Sequence, residues 1–443
     1  MFENDRTLPS LTDSVDLIRR QRWGKSPDWL TRIRDNGKEL FSQKGLPTVR
    51  VEEWKYTDVS PISRHLFSPP APNHVDLNID QIEEMVFGDM HLIFINGFYS
   101  AALSSHAGLP DGVEITGLGE AIKRDHPLVM KHLAAHAKGE ESSFIALNEA
   151  FIEDGAFIHI PRGIRLEQPI HLVYLNTGKE MPAALYPRNL IIVDEDAEAS
   201  IIEDYIGEMG TTYFTDAVTE IFTGDRARVF HYKLQRENEA SFHIAFIQAR
   251  QGAGSRFESH SITFGGRLTR NNIHSVLTGA DADCVMNGLY MIDGSQHVDN
   301  HTLIRHDSPN CRSSELYHGI LDGGARGVFN GKIYVARDAQ QTDSRQTSRS
   351  LLLSRESAVD AKPQLEIFAD DVKCTHGATV GRLDEDALYY LRSRGLAAEE
   401  AEKMLTLAFA RRITDSIGNE TLRKETGRLL DRRLDEWRQK QEA

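Results

Sequence analysis

Cysteine is scarce in this chain of 443 residues: Cys284, Cys311 and Cys374 are all there is. Three scattered thiols exclude a disulfide-stapled framework and a four-thiolate zinc knuckle, so they read as reduced thiols. The ordinary use of such a thiol is as a small buried hydrophobe. Long apolar runs are missing too, which argues against a membrane-spanning helix. Residues 1–17 are polar and acidic, with neither the apolar stretch of a secretory signal nor the Arg-rich, acid-poor texture of a transit peptide, so a cytoplasmic protein is expected. Positive charge is in deficit, with 51 Lys and Arg against 66 Asp and Glu, a net charge of -15. Nucleic-acid binders need a basic surface to displace counterions, so neither nucleic acid nor membrane is expected as a partner. Nucleotide motifs are absent. Phe329-Asn-Gly-Lys-Ile333 lacks the upstream glycine and hydroxyl residue of a P-loop, and Gly252-Ala-Gly254 lacks the third glycine of a dinucleotide fingerprint. There is no G-x-S-x-G elbow.

What is present is ordinary globular material, 40% apolar and 26% charged, arranged in three textures. Residues 1–150 read as a helical or mixed domain. Ser26-Pro27-Asp28 opens a helix that Gly45-Leu-Pro47 closes, His91–Asn96 resembles a strand, and Pro127 marks a helix start or kink within 122–135. Residues 151–380 are dominated by strands at 157–160, 170–174, 190–193, 217–222, 229–234, 242–246, 328–335 and 365–368. Turns at 194–200, 224–229, 252–257, 279–284, 323–328 and 356–361 resemble one another, each setting small and polar residues before a strand. Their spacing of roughly thirty residues is that of stacked repeat units. The expected fold is therefore mainly β, a right-handed parallel β-helix core flanked by N-terminal and C-terminal helical domains, with an antiparallel sandwich or barrel as the alternative. Residues 381–443 are helical again. Asp384 is the N-cap of a helix carrying Leu388 and Tyr389, a second carries Met404, Leu407, Ala408 and Phe409, and a third spaces Leu422, Leu429, Leu430, Leu434 and Trp437 on one face. These stripes suit either packing within a small helical domain or docking of a partner.

Two clusters could carry chemistry. In Asp370-Asp-Val-Lys-Cys-Thr-His-Gly-Ala-Thr-Val-Gly-Arg382, continuation of the strand begun at Leu365 would project Cys374 and His376 from one face. A thiol beside an imidazole can bind a soft metal, relay sulfur or lower the thiol pKa. His297, His301 and His306, with Cys311, form the second cluster. His297 and His301 would share a strand face, which suits either a metal or hydrogen-bonded surface imidazoles.

The stretch from Val328-Phe-Asn-Gly-Lys-Ile333 through Lys362-Pro-Gln-Leu-Glu-Ile-Phe368 and Cys374-Thr-His-Gly-Ala-Thr379 to Tyr390-Leu-Arg-Ser-Arg-Gly395 resembles the SufB/SufD family of iron–sulfur cluster assembly proteins, as do Gly45-Leu-Pro47 and Glu52-Glu-Trp-Lys-Tyr-Thr57. His376-Gly-Ala-Thr379, where SufB typically reads His-Glu-Ala-Thr, makes the resemblance greater to the SufD side of that family. The resemblance implies a non-catalytic scaffold that pairs with SufB through the β-helix and binds the SufC ATPase through its C-terminal helices, and it leaves self-association in isolation open. It implies that His376, with Cys374 beside it, serves the cluster-building interface, where His376 would ligate metal in a site shared with the partner chain. No tightly bound cofactor is expected, only a transient cluster or iron at the interface. Leu388, Tyr389, Met404 and Phe409 are the candidate contacts for the ATPase. The competing readings are a carbohydrate-active β-helix enzyme and a zinc-dependent hydrolase built on His297 and His301.

Overall fold

The computed structural model describes residues 11, 15–23, 26–68, 70, 85–106, 108–177 and 182–442. Among the described residues the strands form one ten-stranded and one eleven-stranded sheet, and from Ala156 to Gly381 the chain passes between them, coil after coil. Like strands of successive coils pair in parallel and in register. One row reads Ala199, Val229, Phe257, Cys284, Ser313, Ser344, Cys374, and the next reads Ile201, His231, Ser259, Met286, Glu315, Gln346, His376. This is a parallel β-helix.

The similar turns belong to two stacks rather than one. At one corner, Asp196, Arg226, Gly254, Asp281, Asn310 and Gln341 all take a left-handed backbone. Each sends its N–H to a carbonyl of the next coil, for instance Arg226 to Ala253 at 2.7 Å and Asp281 to Pro309 at 3.1 Å. The turns at 323–328 and 356–361 lie at another corner, beside Gly294. Small residues recur because the backbones nearly touch. A Cβ on Gly279 would stand 2.1 Å from the Ala253 nitrogen in the neighbouring coil.

The two ends of the stack differ. At the start, short antiparallel strands flank it, Phe98–Tyr99 against His91–Ile95 in one sheet and Glu114–Gly117 against Ala156–Ile160 in the other. His91–Ile95 also runs parallel to Ile170–Asn176, so part of residues 1–150 is built into the β-helix itself. At the finish, Val372–Gly381 and Ala358–Ala361 are edge strands, paired on one side only among the described residues.

Helices cover the outer faces. The helix Asp28–Lys44 follows Pro27, which occupies the cap rather than the first turn, and ends at Gly45. It lies against Ser143–Ala150, and Gly37 allows the contact, since a Cβ there would sit 2.6 Å from the Ala146 carbonyl oxygen. Pro127 starts a separate helix, Pro127–His132, after the break at Asp125. Phe41, Trp54, Phe144 and Leu147 pack with Phe214, Val218, Phe242 and Ile244 on the eleven-stranded sheet. On the ten-stranded sheet, Ala410, Ile413, Leu430, Leu434 and Trp437 cover Leu234, Ile262, Leu289, Met291 and Ile320. The C-terminal stripes thus pack on the solenoid, because the outward rows of that sheet present an apolar face that must be buried.

Candidate functional site

Strand Gln364–Ile367 pairs in the eleven-stranded sheet, and the chain then turns through Ala369–Asp371 into Val372–Gly381 of the other sheet. The single strand expected from Leu365 to His376 is therefore two, because the coil has a corner there. The corner is held by the N–H of Gln341 on the Asp371 carbonyl, 2.6 Å, and by Gln340 Oε1 accepting from the Asp371 N–H, 2.9 Å. Cys374 and His376 still alternate on one strand, about 6.6 Å apart, and share its inward face.

That face is inward by register. Cys374 pairs with Ser344 and His376 with Gln346, both buried, whereas Arg345 between them is exposed. In any earlier coil these positions are inside the β-helix. In the last coil no further strand among the described residues covers them, and Cys374 is half-buried and His376 exposed. Ile367, Phe368 and Val380 are exposed at the same end, at 37%, 56% and 48%. Burial pushes the Cys374 thiol up from its ordinary range, and Asp343 adds to the effect, so it is held as a thiol. Cys284 and Cys311 are buried, and burial pushes Cys284 up to about 12. Among the described residues no three His, Cys, Asp or Glu side chains converge on a point where a metal could sit. On the inward face of this last strand the donors are one imidazole and one thiol.

The histidine-rich stretch divides. His297 and His301 do share the outward face, where His301 reaches Asp299 at 3.1 Å and His297 reaches the Thr57 hydroxyl at 2.9 Å. Thr57 donates to Asp299 at 2.5 Å, and the Arg270 guanidinium bonds Asp299 at 2.9 Å while lying 3.7 Å over the Trp54 ring. Burial would raise the Asp299 carboxyl, but His301 and Arg270 outweigh it and hold the group well below the carboxylate range. Glu52 pairs with Lys362. The Glu52–Thr57 motif is thus the strap that fastens the N-terminal segment to the β-helix. His306 points the other way, into the interior, where it meets Ser313 at 3.0 Å, and Cys311 sits in a corner near the Gly279 carbonyl. The four do not form one centre.

The C-terminal candidates divide as well. Tyr389 and Met404 are exposed, at 76% and 49%. Leu388 is half-buried in a cleft with Leu353, Leu434 and Trp437. Phe409 faces the solenoid: its ring stacks on His318 with centroids 4.3 Å apart, and its carbonyl meets His318 Nδ1 at 2.9 Å. Phe409 anchors its helix on the sheet through that stack, and the residue is half-buried.

Residues 174–409 match the family model described as SUF system FeS cluster assembly, SufBD core domain, and residues 16–172 match the SufBD protein N-terminal region. The chain belongs to the SufBD family. An iron–sulfur cluster assembly SufBD family protein of Synechocystis is 33% identical over 94% of this chain and 92% of its own length. The iron–sulfur cluster assembly protein SufD of Escherichia coli is 33% identical over 88% of this chain and 90% of its own. SufB of Bacillus subtilis is 24% identical over 94% of this chain and 91% of its own. Among the described residues no helix is long and apolar enough to cross a membrane.

Sequence reasoning missed the buried polar residues behind His376, namely Glu315 and Gln346. The signal was available, since stepping back from His376 by the repeat of about thirty residues lands on Gln346 and then Glu315.

Proposed function

We propose that this SufBD chain is a non-catalytic, cytoplasmic scaffold on which iron–sulfur clusters are built, at the place where the open end of its β-helix meets a SufB chain. The observation that carries the reading is the register that sets His376 and Cys374 on the inward face of an edge strand with no further strand stacked on it among the described residues. An iron–sulfur cluster takes four protein ligands, and the inward face of this edge strand offers two donors, so a second chain would complete the set. Edge strands with free N–H and C=O groups, flanked by exposed Ile367, Phe368 and Val380, suit the addition of another chain's strands. SufB of B. subtilis aligns along nearly the whole of this chain, which supports a matching end on the partner. The cluster and its iron are cargo of the joint site. The upward push of burial on the Cys374 thiol works against its serving as the nucleophile, which favours a SufB thiol as the sulfur acceptor and His376 as the ligand this chain contributes.

With no P-loop of its own, the chain would draw on the SufC ATPase, docked on the C-terminal helices through exposed Tyr389 and Met404. Only Arg382, Leu383 and Asp384 separate the His376 strand from the helix Glu385–Ser393, so movement of that helix on ATP binding would be transmitted to the site. The test is His376→Ala in the complex with SufB and SufC. Exposed and in the terminal coil, the residue can be removed without loss of fold. The expected outcome is normal complex formation with cluster yield lowered by about tenfold or more, the effect of losing one ligand or its support. Normal yield from an intact complex removes His376 from the mechanism.

A further inference from the structure

Directly behind His376 the interior of the β-helix is polar where an apolar core would serve. Met286, Glu315, Gln346 and His376 are consecutive members of one inward row, on parallel strands about 4.8 Å apart. Glu315 and Gln346 are 2% and 1% exposed. Gln346 Nε2 donates to Glu315 Oε2 at 2.7 Å, which commits the donor end of the amide to the carboxylate. Its other end, Oε1, is buried with no hydrogen-bond partner. Gly331 on the facing sheet makes room for this amide, since a Cβ there would lie 2.3 Å from Gln346 Nε2. Thr302, Tyr317 and Cys284 are the other groups around Glu315, and none is a cation. Burial pushes the Glu315 carboxyl up to about 7, against the nearby Thr302 hydroxyl and the hydrogen bond from Gln346, and Glu315 Oε1 is itself buried without a hydrogen-bond partner. A buried carboxylate without a cation is a costly way to fill a core. An orphaned acceptor at the next position outward gives it a use.

We propose that Glu315 is a positioning residue that sets the tautomer of His376 through the amide of Gln346. Ionised Glu315 only accepts hydrogen bonds, so it holds the Gln346 amino group toward itself and leaves Oε1 to the next row. An acceptor there calls for an N–H, and the His376 ring turned to meet it carries its proton on that nitrogen. The other nitrogen then presents its lone pair to the open end, the arrangement a ligating imidazole needs from its supporting shell. A group at position 315 that can also donate would let the amide reverse and the preference vanish. This inference rests on the reading of His376 as the site residue.

The experiment is ring-¹⁵N spectroscopy of the full-length, histidine-labelled chain at pH 8, with the His376 signals assigned by their loss in His376→Ala. In the native chain one tautomer should exceed the other by about tenfold, the ratio that a hydrogen bond of ordinary net strength gives. Glu315→Gln, which both donates and accepts, should bring the ratio to within about threefold, and Gln346→Met, which cannot relay, should do the same. An unchanged ratio in a folded Glu315→Gln chain overturns the proposal. Because the readout needs no partner, coupling found alongside normal cluster yield in His376→Ala would overturn the functional reading alone. Absent coupling with reduced yield would overturn only this inference.

Discussion

Replacing Glu315 by Gln should stabilise the protein, and only above a definite pH. The Glu315 carboxyl titrates near 7 in the folded chain, against an ordinary value of 4.5. Below pH 4.5 it is neutral folded or unfolded and contributes no difference. Between 4.5 and 7 the unfolded chain ionises while the folded one resists, so stability falls as pH rises, and above 7 the whole deficit is present. At about 1.36 kcal/mol per pH unit that deficit is roughly 3 kcal/mol. Gln keeps the shape, accepts from Gln346 and never ionises, so Glu315→Gln should recover most of it at pH 8 and almost none at pH 4.5. With an unfolding entropy of about 2 cal/mol/K per residue over this length, the gain corresponds to a rise in Tm of about 3–4 °C. Thermal unfolding followed by circular dichroism at the two pH values reads it directly. A Tm that falls at pH 8, or shifts equally at both values, refutes the reasoning. The variant should be more stable and, in the assembled complex, less able to build clusters, as expected where a functional residue is held at the expense of stability.

Three further outcomes follow from the packing. Burial pulls His318 down to about 4, so its neutral form supports the fold fully above pH 6.5, and that support is lost as pH falls toward 4, by roughly 3 kcal/mol. Protection factors of the amides in residues 398–414, corrected for the pH dependence of intrinsic exchange, should therefore fall at pH 5 relative to pH 7.5, and His318→Gln should remove the difference. Thr57→Val strips the hydroxyl from buried Asp299 and His297 and should lower stability by about 1–3 kcal/mol in urea unfolding. Gly279→Ala drives a methyl into the neighbouring coil's backbone and should cost about 3 kcal/mol or more, while Gly377→Ala, with nothing within 4 Å, should change stability by less than about 0.5 kcal/mol.

The strands and the coil length were legible because alternation and recurrent small-residue turns survive in one dimension. The assignment of each strand to a sheet was not. Both faces of Tyr213–Thr223 are buried, one under the N-terminal helices and one in the interior, so polarity no longer marks which side faces in. Two turn stacks looked like one for a related reason, since the same steric demand for small residues acts at every corner. The corner at 369–371 was hidden because Leu365-Glu-Ile-Phe368 and Val372-Lys-Cys-Thr375 each read as strand, and only pairing with different neighbours separates them. Phe409 belonged to an apolar stripe whatever it touched, and whether a sheet or a partner covers it is a tertiary fact. His376 stood out through its motif. Glu315 and Gln346 carry no local signature, and their role comes from stacking across three coils.

The unlike ends of the β-helix have a consequence for stoichiometry. A stack of parallel strands with both faces bare would template its own growth, copy on copy, into a fibre. Here the first coil is flanked by strands of two and four residues running the opposite way, a poor template for another parallel layer. Joining at the last coil would therefore consume the one long template among the described residues, and assembly through it would stop at a pair.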